Sequence, residues 1–251
     1  MSYSGNNPFE APGSMYSDRF SIAADAPADL RGEFISKTYF HLSGAVIAFV
    51  GLEAVFVSSG IAETLLRMLA TYGQGWGWLL VLGAFVLVAT VARNMSLSGS
   101  RQTQYAGLGL YVIAESLIFA PIIYLANSMG ATESVPYGIL PTAGVVTIAI
   151  FAALSMVVFV TKKDFSFLAP ALTIATFGVF GLIIASAIFG FSLGILFTVG
   201  MIVLASGYIL YDTSRVLHHY RTDQYVGAAT ALFASVALLF WYVLQLFMSR
   251  D

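Results

Sequence analysis

Seven predominantly apolar runs, each near the ~20 residues that a helix needs to cross a bilayer core, follow one another along this chain. They cover residues 38–58, 77–97, 104–126, 138–160, 168–189, 193–213 and 226–248. Polar or glycine-rich punctuation separates them: Gly73-Gln74-Gly75, Ser98-Gly99-Ser100, residues 127–137, Lys162-Lys163-Asp164, Gly190-Phe191-Ser192 and residues 218–224. In hydrocarbon every backbone N–H and C=O must be paired within its own helix or within a closed barrel. The period-two alternation of barrel strands is missing, so these runs are helices. The chain is therefore expected to be all-α, a polytopic membrane protein with a seven-transmembrane-helix bundle over residues 37–251 and a polar N-terminal tail over residues 1–36. Composition agrees, at 59% hydrophobic and 10% charged residues, where a soluble domain carries roughly 25% charged residues. The last run has no central Gly or Pro to turn it back, which favours a complete crossing.

The tail contains Pro8, Pro12 and Pro27 and many Ser, Gly and Asp residues. It reads as mobile and solvated, with a short amphipathic turn near 28–34 and no apolar run of signal-peptide type. Cysteine is absent, which excludes disulfides and thiolate metal sites. A net charge of −2 gives no basic surface for nucleic acid. No nucleophile–base spacing, phosphate loop or metalloprotease signature occurs, and no cofactor motif, so the expectation is a protein that is not an enzyme.

Lys and Arg set the expected orientation. Arg19, Arg31, Lys37, Arg93, Arg101, Lys162, Lys163, Arg215 and Arg221 fall on one side of the spans, against Arg67 and Arg250 on the other. The positive-inside rule puts the tail in the cytoplasm, and seven crossings put the C-terminus outside. Trp76 and Trp78 then anchor the outer interface.

Four charged residues lie within or at the ends of spans: Glu53, Arg93, Glu115 and Asp212. An intramembrane acid is costly, by about 2.5–3.5 kcal/mol even on insertion scales, and needs a partner, a water-filled cavity or a proton. Counting ~1.5 Å per residue from Gln104 puts Glu115 ~16 Å into the third span, near the midplane. Asp212 closes the sixth span within Tyr211-Asp212-Thr213-Ser214-Arg215. Asp212 and Glu115 are the candidates for an ion pathway or for pH sensing. Arg93 is the candidate gate partner, in a pair with Asp212 that would satisfy both groups. Carboxylate oxygens suit Ca²⁺, although so few of them fit a weak permeation site better than a tight one. Glu53, toward the outer end of the first span, is expected to reach the interface. His41 is expected at the interface and His218-His219 in a solvated loop, because adjacent histidines do not share a helical face. Pro121, Pro141 and Pro170 are expected to kink or start helices, and Gly178 and Gly181 to permit close helix packing.

Several of these features occur together in a known group. The polar tail, the seven short-looped spans, Glu115-Ser116-Leu117-Ile118-Phe119-Ala120-Pro121 and Tyr211-Asp212-Thr213 resemble the Bax-inhibitor-like (TMBIM) membrane family over residues 36–248. Three blocks are similar to its bacterial YccA branch, whose members modulate the membrane-anchored AAA+ protease FtsH. They are Lys37-Thr38-Tyr39-Phe40-His41-Leu42-Ser43, Thr161-Lys162-Lys163-Asp164-Phe165-Ser166-Phe167-Leu168 and Ser249-Arg250-Asp251. The resemblance implies a bundle wrapped around a central last helix, and a pH-sensitive calcium leak in which aspartates of the last two spans share a proton. Asp212 matches the first aspartate, Arg93 matches an arginine that latches onto it, and Ser235 stands where the second is expected. A serine carries no charge, so that two-aspartate sensor is incomplete here.

Three functions are therefore expected, in this order: a pH-sensitive Ca²⁺ leak pathway; a modulator of a membrane AAA+ protease through protein contact; and a proton-coupled small-solute transporter. The expected partners are the lipid bilayer, Ca²⁺ or protons, and such a protease, with no cofactor, no metal site and no nucleic acid. The expected location is a bacterial inner membrane with the N-terminus cytoplasmic.

Overall fold

The structure, a computed structural model, describes residues 21–72, 76–131 and 135–249. Within them the helices are α1 (Ala28–Ser58), α2 (Ile61–Tyr72), α3 (Trp76–Ser96), α4 (Arg101–Met129), α5 (Ile139–Thr161), α6 (Ala169–Phe189), α7 (Gly194–His218) and α8 (Tyr225–Met248). All but α2 are long and apolar enough to cross a bilayer. The seven expected spans are thus present, with most limits moved by a few residues. The chief difference is α1, which begins at Ala28 rather than near 38, so the expected tail boundary falls inside a continuous helix. Residues 1–20 lie outside the described residues.

Successive spanning helices alternate in direction. Apart from Arg67, which lies at the far end, the described basic residues gather at the end where α1 begins, here called the tail end. α2 was not anticipated, because at 12 residues, roughly 18 Å, it is too short to cross. It is strongly amphipathic, packs on α4, and carries an Arg67–Glu63 ion pair of 2.5 Å across one turn. Such a helix belongs in the membrane interface.

α8 is the centre of the bundle. It packs against α1, α3, α4, α5 and α7 and runs unbroken from Tyr225 to Met248, so the last run is a full-length helix. Its core side joins α1 and α4 through aromatic rings. Phe119 stands edge-on to Phe49 and Trp241 at centroid separations of 5.1 and 4.9 Å and lies flat against Phe240 at 5.8 Å. Outside these contacts, hydrophobic side chains such as Phe40, Leu87, Val160 and Leu196 are exposed, as lipid-facing surfaces require. α6 is the most peripheral helix and buries little of itself.

Glycine makes the close approaches, but not the expected glycines. A Cβ on Gly107 would fall 2.5 Å from Ser96 N and 2.6 Å from Ala92 O, so α3 and α4 meet there backbone to backbone. Gly227 in turn admits the Leu97 side chain. Gly178 and Gly181 sit on peripheral α6, where a Cβ would meet nothing within 4 Å. Pro141 and Pro170 lie in the first turns of α5 and α6, where their missing N–H costs nothing. Pro121 lies inside α4 and cannot donate to the Leu117 carbonyl.

At the tail end residues 21–23 are tied down. Ala23 N donates to Tyr220 O at 2.8 Å and Thr222 N to Ser21 O at 3.1 Å, so that Ile22 lies antiparallel to Arg221 in the α7–α8 loop.

Candidate functional site

α7 buries Thr198, Met201, Ala205, Ile209, Asp212 and Val216. Steps of three and four residues place them on one face, and that face packs on α8. Asp212 thus occupies a core position near the last turns of its helix. Its carboxylate is met from α8 by Ser235, whose Oγ donates to Asp212 Oδ2 at 2.6 Å. Arg215 Nη1 lies 3.9 Å from Oδ1, one turn further along the same helix. The Arg215 guanidinium also covers the ring of Tyr220 at 4.7 Å. Burial pushes the Tyr220 phenol up to about 12 despite that guanidinium, so it stays neutral.

The cavity beside this pair has a volume of about 1270 Å³ and lies among α3, α4, α6, α7 and α8. Arg93, Glu115, Asp212 and Ser235 all line it. Glu115 is buried near the middle of α4, with Tyr111 on the same wall one turn earlier. The three residues singled out in the sequence therefore share one space. The expected Arg93–Asp212 ion pair is not formed. Arg93 is exposed, on a helix that packs on α4 and α8 rather than on α7, and the guanidinium within ion-pair distance of Asp212 is that of Arg215. Trp78, expected as an interface anchor, is half-buried and lines this same cavity, and the Trp76 side chain lies outside those described.

Each residue after Asp212 reaches a different element. Thr213 shares a 3.4 Å hydrogen bond with Ser155 of α5. Ser214 Oγ accepts from Phe165 N at 2.8 Å and donates to Asp164 Oδ1 at 3.2 Å. Asp164 also accepts from Ser166 N at 2.8 Å and pairs with His219 Nε2 at 3.0 Å. Its slight burial opposes ionisation, but the Ser166 donors and His219 outweigh it and hold the Asp164 carboxyl at about 2. His218 and His219 thus have protein partners, Ser214 O at 3.0 Å and Asp164, rather than only solvent. Sequence reasoning named Thr213, Ser214 and Asp164 only as parts of motifs, gave their side chains no role, and passed over Ser155. The signal for the three hydroxyls is that small hydroxyls in apolar helices must bond to something; Asp164, a charged residue in a loop, carries no such signal.

Glu53 departs most from expectation. It does not reach the interface but is buried, away from the cavity just described. His41, by contrast, is half-buried at the tail end, 3.1 Å from the Tyr105 hydroxyl and packed against Tyr225.

Residues 31–251 match the family described as "Inhibitor of apoptosis-promoting Bax1". The chain is 26% identical to Protein LIFEGUARD 4 of Arabidopsis thaliana over 242 residues, covering 89% of this chain and 87% of the relative. It is 25% identical to Bax inhibitor 1 of Schizosaccharomyces pombe over 228 residues, covering 89% and 79%. It is 33% identical to the uncharacterized protein PA2604 of Pseudomonas aeruginosa over 110 residues, covering 43% and 49%. No solved structure shows a significant match.

Proposed function

The chain belongs to the Bax-inhibitor family of membrane proteins, and from that premise we propose that it provides a passive cation pathway, with Ca²⁺ as the permeant ion, through the cavity between α3, α4 and α7. One observation carries this reading: two intramembrane acids on different helices, Glu115 and Asp212, line the same cavity. Acids within membrane-spanning helices mark ion or proton routes more often than packing. Two carboxylates and neighbouring hydroxyls supply fewer oxygens than a tight Ca²⁺ site requires, so the ion is held weakly and passes on. Arg93 on the cavity wall opposes cation entry and acts as the gate. The role needs no catalysis and no cofactor. Purified protein in dye-loaded liposomes tests it: Glu115→Gln should reduce Ca²⁺ entry, and entry equal to wild type would remove Glu115 from the pathway.

A second reading, modulation of a membrane AAA+ protease such as FtsH, is favoured by the docking of residues 21–23 on the loop that follows Asp212. A partner that grips the tail would bear directly on the end of α7. Deleting residues 1–20 should then abolish a co-purifying protease complex while the bundle still folds; an intact complex would remove the tail from this role. The basic tail end supports a cytoplasmic N-terminus, which reporter fusions at the two termini would test, and a bacterial inner membrane rests on the similarity to the YccA branch.

A further inference from the structure

A second cavity, of about 440 Å³, lies between α1 and α5 in the far half of the bundle, a size within the roughly 300–1,000 Å³ of small-molecule sites. Both helices pack on α8, which floors the crevice with Phe233, Ala237 and Phe240. Toward the tail end Tyr39 closes the gap against Phe151 and Phe159, at centroid distances of 6.3 and 5.7 Å. On the rim Val50 and Ile148 are 60% and 62% exposed, so the crevice faces the lipid side of the bundle.

Two polar groups sit in this apolar wall without partners. Glu53 is 4% exposed and neither of its carboxylate oxygens has a hydrogen-bond partner. Thr147, across the crevice on α5, is 2% exposed, and its hydroxyl has none either. Thr147 differs from most helical threonines. Thr38, Thr142, Thr161 and Thr230 each return their proton to the carbonyl four residues back. Buried polar groups are nearly always satisfied, and an ionised carboxylate, which can only accept, requires a cation or donors. A metal ion would ask for six or more oxygens, which this largely hydrocarbon wall does not supply. An organic cation carries its own apolar coat and asks for one counter-charge and hydrophobic or aromatic walls.

We propose that this crevice binds a lipophilic organic monocation that enters from the lipid, with its charge against Glu53 and its body between α1 and α5 over Phe233 and Phe240. Thr147 lends a hydroxyl to the charged end.

Equilibrium binding of radiolabelled tetraphenylphosphonium to the full chain in lipid nanodiscs, with empty nanodiscs subtracted, tests this. Glu53→Gln, nearly isosteric but neutral, should weaken binding by at least about tenfold. Gly144→Phe should do the same by filling the space, since a Cβ at Gly144 meets nothing within 4 Å. Asp212→Asn, in the other cavity, should bind as wild type does. Wild-type affinity in both crevice variants, or a loss that follows Asp212→Asn instead, overturns the proposal. Thermal melts confirm that each variant folds, and if Glu53→Gln does not, Gly144→Phe decides alone.

Discussion

Ser235 Oγ donates a 2.6 Å hydrogen bond to Asp212 Oδ2 across the α7–α8 interface, and both residues are buried. Where the family resemblance leads one to expect a second aspartate, this chain supplies a neutral donor at contact distance. Ser235→Ala leaves a buried acceptor without that donor and should destabilise the bundle by about 1–3 kcal/mol, read as a lower melting temperature. Ser235→Asp sets two carboxyls against each other, and like charges at such range cannot both ionise. Its cation flux should therefore vary more steeply between pH 6 and 8 than that of wild type. A superimposable pH profile would show that the α7–α8 contact does not control permeation.

Asp164 offers a stability test with a definite sign. Its carboxyl is held at about 2 in the folded protein against an ordinary value of 3.8. A depressed value means that its contribution is fully present above 3.8 and is lost as pH falls through about 2. In a His219→Gln background, which removes the one partner that itself titrates, Asp164→Asn should lower the melting temperature equally at pH 8 and pH 5. The difference should shrink only in strong acid. A difference that disappears between pH 8 and 5 would contradict the observed hydrogen bonding.

Gly107 is where α3 and α4 come closest. Gly107→Ala places a methyl group against the backbone of Ala92 and Ser96, which can yield only if the helices separate. Overpacking of this kind costs about 1–3 kcal/mol. Gly178→Ala, inside a helix with open space around it, should not lower the melting temperature, and paired melts compare the two.

Arg93 is exposed and forms no ion pair with Asp212. Arg93→Gln should change stability by less than about 0.5 kcal/mol while raising cation flux, because a positive charge leaves the cavity wall. Reduced flux with unaltered stability would exclude Arg93 as an opposing charge.

The spans were legible because bilayer thickness fixes the length of an apolar helix, and Asp212, Glu115 and Arg93 were legible because charge is rare in such segments. The stripe from Thr198 to Val216 even places Asp212 on a buried face by spacing alone. Which groups meet was not legible. Arg93 and Asp212 lie on helices that do not pack together, and sequence distance carries no trace of that. Glu53 resembles an interfacial residue by position, and only the packing of α1 on α4 and α8 reveals that it is buried. α2 is shorter than a bilayer crossing, so length does not mark it, although its amphipathic pattern is present in the sequence.

The central claim is that Asp212 belongs to a cation route. Ca²⁺ entry into dye-loaded proteoliposomes at pH 6, 7 and 8, wild type against Asp212→Asn, tests it most directly. Entry above empty liposomes that falls in the variant is the predicted result. Folded protein that admits no more Ca²⁺ than empty liposomes, or a variant indistinguishable from wild type at every pH, would contradict it.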